Sequence, residues 1–131
     1  MQTPTAIHSW HTMLKEKNVA GLDTLIADDA VFLSPVVHTP QVGKEVTKAY
    51  LTAAFFVFGS DSFSYVREIY GENNAMLEFE TEIDGIFVNG VDLIRWNDEH
   101  QIVEFKVMLR PLKAVNLIHQ MMGKMLAQMK K

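Results

Sequence analysis

The first half of the chain carries apolar residues at intervals of three and four positions, the spacing expected of helices. Ile7, Trp10 and Leu14 follow the helix start Thr3-Pro4-Thr5 and predict a first helix that Asn18 ends. The other predicted elements are a short helix over 21–27 that Asp28-Asp29 breaks, a strand over 30–34 ended by Pro35, and a helix over 44–54 with Val46, Tyr50, Leu51 and Ala54 on one side.

Beyond residue 62 apolar and polar residues alternate, which is the period of a half-buried strand. The alternation predicts strands over 63–70, 76–83, 86–96 and 102–109. Asp84-Gly85 is a strong signal for a two-residue hairpin turn, and Asn89-Gly90 predicts a bulge or a second turn. A final helix is expected after Pro111, with its apolar stripe at Leu112, Val115, His119, Met122, Leu126 and Met129.

Helices that precede and follow an antiparallel meander indicate the α+β class. A strongly twisted sheet closed on one side by helices forms a cone with an apolar cavity. At 131 residues the chain is expected to form one domain over residues 1–131, with a core of its own.

Composition narrows the classes of partner and location. The formal net charge of -4 disfavours a nucleic-acid partner, since phosphate contacts need clustered Lys and Arg. The absence of cysteine excludes disulfides and thiol chemistry and fits a cytoplasmic location. The first residues lack the features of a signal peptide, and no apolar run approaches the roughly 20 residues of a membrane span.

Asp92 is the candidate for chemistry. In the predicted strand Gly90–Trp96 it shares a face with Ile94 and Trp96, while Val91, Leu93 and Arg95 share the other face. A carboxylate among apolar residues is costly to bury unless it is hydrogen-bonded or protonated. We therefore expect Asp92 to line a pocket and to contact a ligand, although a purely structural hydrogen bond is the open alternative.

Four further features have competing interpretations. His8 and His11 have metal-like spacing on a helix, but no carboxylate or cysteine motif accompanies them, so no metal site is expected. His38 could line the mouth of the pocket or lie on an exposed loop. The row Glu78, Glu80 and Glu82 is expected to form a solvated or dimer-rim face, with salt partners such as Arg67 on the neighbouring strand. The methionines of the last helix could form a lid, a partner surface or plain packing.

The order and spacing of three segments resemble the nuclear-transport-factor-2-like superfamily and, within it, the SnoaL-like and ketosteroid-isomerase-like proteins. These segments are Leu25–Pro35, Gly90–Trp96 and Ile102–Val107. The resemblance implies a cone-shaped, cystatin-like fold, in which a curved mixed or antiparallel sheet and helices on its concave face enclose a pocket. It covers nearly the whole chain.

The same resemblance assigns roles to four positions. Asp92 matches the oxyanion-stabilising Asp of the ketosteroid isomerases, which the apolar site keeps neutral. Ser34 stands where those enzymes have their general base, and Trp10 stands where they have a tyrosine. Val107 stands where cyclases and epoxide hydrolases of the superfamily have a catalytic Asp. The resemblance therefore implies that this chain lacks the general base of the isomerases and the last-strand acid of the cyclases and hydrolases.

Two classes of function remain open. The first is an enzyme or binder for a small apolar molecule with one polar handle held by Asp92, with no cofactor. Its pocket is expected to be lined by Trp10, Phe32, Ser34, His38, Phe105, Val107 and Leu109. The second is a dimerisation or protein-interaction module. Under either interpretation the resemblance implies a homodimer through the outer sheet face, to which Val91, Leu93 and Arg95 would contribute.

Overall fold

The computed structural model describes residues 2–59 and 61–129. Its α-helices are α1 (Thr5–Glu16), α2 (Leu22–Leu25), α3 (Lys44–Phe58) and α4 (Leu112–Met129). Its strands are β1 (Ile26–Leu33), β2 (Gln41–Val42), β3 (Ser64–Tyr70), β4 (Asn74–Ile83), β5 (Ile86–Trp96) and β6 (Ile102–Arg110).

The strands form a mixed, curved and unclosed sheet in the order β2-β1-β6-β5-β4-β3. The meander from β3 to β6 is antiparallel throughout, and β1 joins it by parallel pairing with β6. Asp84 and Gly85 both have positive φ, as the predicted hairpin turn requires. The α+β fold with helices packed against one face of a curved sheet is confirmed.

The alternation predicted for β5 is also confirmed. Asp92, Ile94 and Trp96 are buried on the inner face, whereas Arg95 is exposed on the outer face. Asp92 pairs with Leu77 of β4 on one side and with Val107 of β6 on the other. The carboxyl group therefore lies at the middle of the sheet.

The predicted break at Asp28-Asp29 is wrong. Helix α2 ends at Leu25, and β1 runs through both aspartates. The pairing of β1 with β6 shifts register between Ile26 and Val31, and both carboxylates are exposed while Ala27 and Ala30 on either side are buried. This irregularity lets a strand carry two adjacent charged residues without burying either of them.

The interpretation of Asn89-Gly90 as a bulge or turn is wrong as well, because both residues pair in register with β4 and β6. Gly90 is instead required by close packing. A Cβ atom there would lie 2.5 Å from Phe79 Cζ and 2.7 Å from Leu109 Cδ2. The missing side chain leaves room for the Phe79 ring on the inner face.

The buried faces of the two long helices are rotated from the predicted ones. Helix α3 buries Thr47, Leu51, Ala53 and Val57, and only Leu51 was expected. Helix α4 buries Ala114 and Ile118, whereas Leu112 at the start of the predicted stripe is 74% exposed. The buried residues include two alanines and Thr47, whose hydroxyl group donates to the Ala30 carbonyl oxygen of β1, so a search for large apolar residues misplaces the buried face.

Candidate functional site

The inner face of the sheet, α1 and α3 enclose a cavity of about 560 Å³. Most of its wall is aromatic or aliphatic, and Phe63 and Phe79 stack at 5.1 Å between ring centroids. Of the residues predicted for the pocket, Trp10, Asp92, Phe105 and Val107 line this cavity. Its volume falls in the range of roughly 300–1,000 Å³ that holds small-molecule ligands.

Asp92 is 6% exposed on the cavity wall. The Tyr65 hydroxyl donates a hydrogen bond of 2.6 Å to its Oδ2 atom. Within the described residues no other donor reaches the Asp92 carboxyl group, so Oδ1 is left for whatever occupies the cavity. This arrangement combines a buried acid, one fixed oxygen and one available oxygen.

Tyr65 is linked in turn to the first helix. The Trp10 Nε1–H group donates to the Tyr65 hydroxyl at 3.0 Å, and the Trp10 ring lies 4.9 Å from that of Phe105. Tyr65 was not predicted as a site residue. Its place in the alternating strand could have indicated it: alternation can put Tyr65 on the buried face, and a buried tyrosine needs a partner for its hydroxyl group.

The two acidic groups of this network have displaced pKa values. Burial raises the pKa of Asp92 to about 7, and the hydrogen bond from Tyr65 opposes that rise. Burial, followed by the nearby Asp92 charge, raises the pKa of Tyr65 well above its ordinary value. Near neutral pH the Tyr65 hydroxyl is therefore protonated, and Asp92 exists in both forms.

A second polar cluster adjoins the cavity through His11. The His11 Nε2 atom is 2.8 Å from Glu68 Oε1, and the Tyr70 hydroxyl donates to that same oxygen at 2.6 Å. His11 lines the cavity, and its ring centroid lies 5.4 Å from that of Tyr65. The sequence suggested only metal spacing for His11, and Glu68 was not singled out. Their pairing depends on the packing of α1 against β3, which spacing does not reveal.

The remaining predicted pocket residues lie elsewhere. Phe32, Ser34 and Leu109 line a smaller cavity of about 190 Å³, which shares Val107 with the larger one. Ser34 Oγ accepts hydrogen bonds from the backbone N–H groups of Val36 and Val37, at 3.0 and 3.3 Å. Ser34 thus caps the turn around Pro35, the alternative that its sequence context offered.

The prediction that His38 lines the pocket is corrected. His38 is exposed on the connection between β1 and β2 and lines neither of these cavities. The loop that carries His38 runs over the protein surface, so the imidazole ring has no buried surface to pack against.

The acidic row contains a cross-strand ion pair of the predicted kind. Arg67 Nε lies 3.1 Å from Glu78 Oε1 across β3 and β4, as predicted for the acidic row. Residues 2–59 and 61–129 contain no group of three or more His, Asp or Glu side chains arranged to hold a metal ion. No helix in the described part of the chain is long and apolar enough to cross a membrane.

A curved sheet whose concave face holds helices and a cavity defines the nuclear-transport-factor-2-like, or cystatin-like, class of fold. The family model for the SnoaL-like domain matches residues 7–105. The chain therefore belongs to the SnoaL-like domain family. A comparison with curated protein sequences finds no match.

Solved structures support the same placement. A steroid delta-isomerase from Pseudomonas aeruginosa is 33% identical, with a TM-score of 0.88 over 94% of this chain and 90% of that chain. A protein with a cystatin-like fold from Silicibacter pomeroyi is 27% identical, with a TM-score of 0.83 over 92% of this chain and 84% of that one. A protein of unknown function from Mesorhizobium loti, 20% identical with a TM-score of 0.69 over 81% and 88% of the two chains, shares the fold.

Proposed function

We propose that this protein binds an apolar small molecule through a carbonyl or hydroxyl oxygen that meets Asp92. The observation that carries the proposal is the Asp92 carboxyl group, which is buried in a largely apolar cavity with one oxygen fixed by Tyr65 and the other available. A buried group of this kind is typical of a site that orients a ligand.

The protonated carboxyl group of Asp92 donates the hydrogen bond that recognises the ligand. When Tyr65 donates to Oδ2, the acid proton of Asp92 resides on Oδ1 and is donated toward the cavity. Tyr65 keeps the carboxyl plane in place, and Trp10 keeps the Tyr65 hydroxyl in place. A ligand carbonyl oxygen accepts this hydrogen bond, and the aromatic wall takes the apolar body of the ligand.

The cavity and the family both support an apolar ketone as the ligand class. A cavity of about 560 Å³ is large enough for a fused ring system, and its mostly aromatic and aliphatic wall favours such an apolar body over a metabolite with several charges. The relative from Pseudomonas aeruginosa is described as a steroid delta-isomerase, which makes a steroid ketone a reasonable candidate. Ser34 has no part in this proposal, since its hydroxyl group caps a turn beside the smaller cavity.

Calorimetric titration at pH 6 with two apolar ketones, 2-tetralone and a 3-keto-Δ5 steroid, tests the proposal. The wild-type protein should bind at least one of them with one ligand per chain. Asp92→Leu removes the donor at similar size and should weaken binding several-fold, since a hydrogen bond contributes about 1 kcal/mol.

Asp98→Leu is the matched control, because Asp98 is exposed on the turn between β5 and β6 and lines neither of the two cavities. It should retain the wild-type affinity. If neither ketone binds, or if Asp92→Leu binds as tightly as the wild type, the proposal is wrong.

We propose in addition that the protein pairs into a homodimer through the outer face of the sheet. Ile69, Met76 and Leu93 are aligned across three strands there, and Met108 lies opposite Val91. Ile69 and Met108 are 56% and 55% exposed, and exposed large apolar side chains on one sheet face favour a protein interface there. Sedimentation velocity should show a dimer that Met108→Asp weakens and that Met129→Asp, on the exposed end of α4, leaves intact.

A further inference from the structure

We infer that the smaller cavity is a second binding site, which takes a neutral, apolar molecule of about one ring. The bound molecule lies beside the second half of α4 and holds that half of the helix against the rest of the fold. The site is separate from the one proposed at Asp92, because Asp92 lines only the larger cavity.

The wall of the smaller cavity is largely apolar and comes from four elements. Strand β1 contributes Phe32, α3 contributes Tyr50, β6 contributes Leu109, and α4 contributes Ile118 and Met122. The rings of Phe32 and Tyr50 stack at 4.9 Å between centroids, so they hold each other in place. A hydrocarbon ring therefore finds aromatic and aliphatic partners around it.

The volume of the smaller cavity sets the size of its occupant. The cavity measures about 190 Å³, against about 560 Å³ for the larger one. An apolar protein cavity of about 150 Å³ stays free of water and binds benzene. The space is thus large enough for one substituted ring. His119 and Gly123 line the cavity and are exposed, which gives a ligand access from solvent beside α4.

The lining also sets the charge of the occupant. Within residues 2–59 and 61–129, no Asp, Glu, Lys or Arg side chain lines this cavity. Ser34 Oγ, one of its few polar atoms, accepts hydrogen bonds from the backbone N–H groups of Val36 and Val37. An ion that entered would lose hydration without gaining a counter-charge, so the site favours a neutral molecule.

The second half of α4 lacks the contacts that hold the first half. Ala114 and Ile118 are buried, whereas residues 119–129 are all half-buried or exposed. Met122 and Leu126 are half-buried and line the cavity. A ring bound beside them would remove apolar surface of both side chains from water, which favours the helix in its docked position.

NMR with toluene as the probe locates the bound molecule. Toluene should show intermolecular nuclear Overhauser contacts to the methyl groups of Ile118 and Met122, which line only the smaller cavity. The methyl groups of Met13 and Leu51, which line only the larger cavity, report on toluene bound there. Benzoate has a similar shape but carries a negative charge, so it should give no contacts to Ile118 or Met122.

Leu126→Trp tests the site by filling it. The bulkier side chain on the cavity wall should weaken toluene binding several-fold, as followed by the chemical shift of the Met122 methyl group during titration. Gln120→Trp is the matched control, because Gln120 is exposed on the same helix and lines neither cavity. Circular dichroism checks that both variants are folded, and the contacts in the wild-type protein decide the location of toluene without any variant.

Hydrogen exchange tests the effect on the helix. Bound toluene should slow amide exchange over residues 120–128, because local opening of this half of α4 would expose the ring and its partners to water. The same addition should leave those rates unchanged in Leu126→Trp and slow them in Gln120→Trp as in the wild type.

The outcomes bear on this site and leave the proposal for Asp92 to its own titration. Toluene contacts to Ile118 and Met122, with slower exchange in the second half of α4, support the inference. Contacts to Met13 and Leu51 alone, or to none of these methyl groups, overturn it. Benzoate that binds as well as toluene overturns the neutral class of ligand, and unchanged exchange in the toluene-bound protein overturns the role in holding α4.

Discussion

The Tyr65 hydroxyl donates a 2.6 Å hydrogen bond to Asp92 Oδ2 across the inner face of the sheet. The bond joins β3 to β5, with β4 lying between them. It fixes one oxygen of a buried acid and leaves the other facing the cavity. The ligand chemistry proposed for this protein depends on that asymmetry.

Tyr65→Phe should raise the pKa of Asp92 above about 7, because the hydrogen bond that favours the ionised carboxylate is lost. It should also destabilise the fold by about 1–3 kcal/mol, since the buried Trp10 N–H loses its acceptor. NMR titration of the Asp92 carboxyl carbon and urea unfolding measure the two effects.

Tyr50→Phe is the control for both measurements. The Tyr50 ring stacks on Phe32 at 4.9 Å, and its hydroxyl group forms no hydrogen bond with the described residues. A titration midpoint for Asp92 that stays near 7 or falls in Tyr65→Phe would contradict the assigned role of the Tyr65 hydroxyl.

The stability of the protein relative to Asp92→Asn should fall as the pH rises from 5 to 8. Between the unfolded pKa of about 3.9 and the folded value of about 7, only the folded chain retains the proton, so rising pH penalises the folded state. The contribution of this proton to the free energy of unfolding is fully present below the unfolded pKa of about 3.9 and is lost above the folded pKa of about 7. The difference amounts to roughly 3 kcal/mol at most over this range.

Urea unfolding of both proteins at pH 5 and pH 8 provides the comparison. Subtracting the two free energies of unfolding at each pH cancels the other titrating groups. A difference that is constant with pH would show that Asp92 titrates alike in the folded and unfolded chains, contrary to its buried setting.

Gly90→Ala should destabilise the protein by about 1–3 kcal/mol, since the new methyl group would lie 2.5 Å from Phe79 Cζ and 2.8 Å from the Met108 carbonyl oxygen. Gly123→Ala, on α4 with no atom near its Cβ position, should instead be neutral or stabilising by up to about 1 kcal/mol. Thermal unfolding of the two variants checks both signs, and an equally stable Gly90→Ala protein would refute the close-packing role of Gly90.

The face on which Asp92 lies could be predicted from the sequence, because side-chain alternation along a strand is strict and Ile94 and Trp96 mark the buried side. The partner of Asp92 could not. Tyr65 lies 27 residues earlier, and β3 shifts register between Tyr65 and Arg67, so strand parity alone does not bring the two side chains together.

Two other features of the structure differ from the sequence-based predictions, one because of strand pairing and one because of tertiary packing. The Asp28-Asp29 pair looks like a stop signal, yet an irregular pairing keeps both carboxylates in solvent while β1 continues. His11 looked like half of a metal site with His8, yet its partner is Glu68 from the distant strand β3. Contacts between α1 and the sheet depend on tertiary packing, which helical spacing does not encode.

The affinity for 2-tetralone as a function of pH tests the central claim most directly. A carbonyl oxygen can accept a hydrogen bond from Asp92 only when the acid is protonated, so wild-type affinity should fall at least several-fold as the pH rises through about 7. Asp92→Asn should bind with an affinity that does not change with pH, because its amide group donates throughout. Wild-type affinity that stays level or rises up to pH 8.5 would contradict the account.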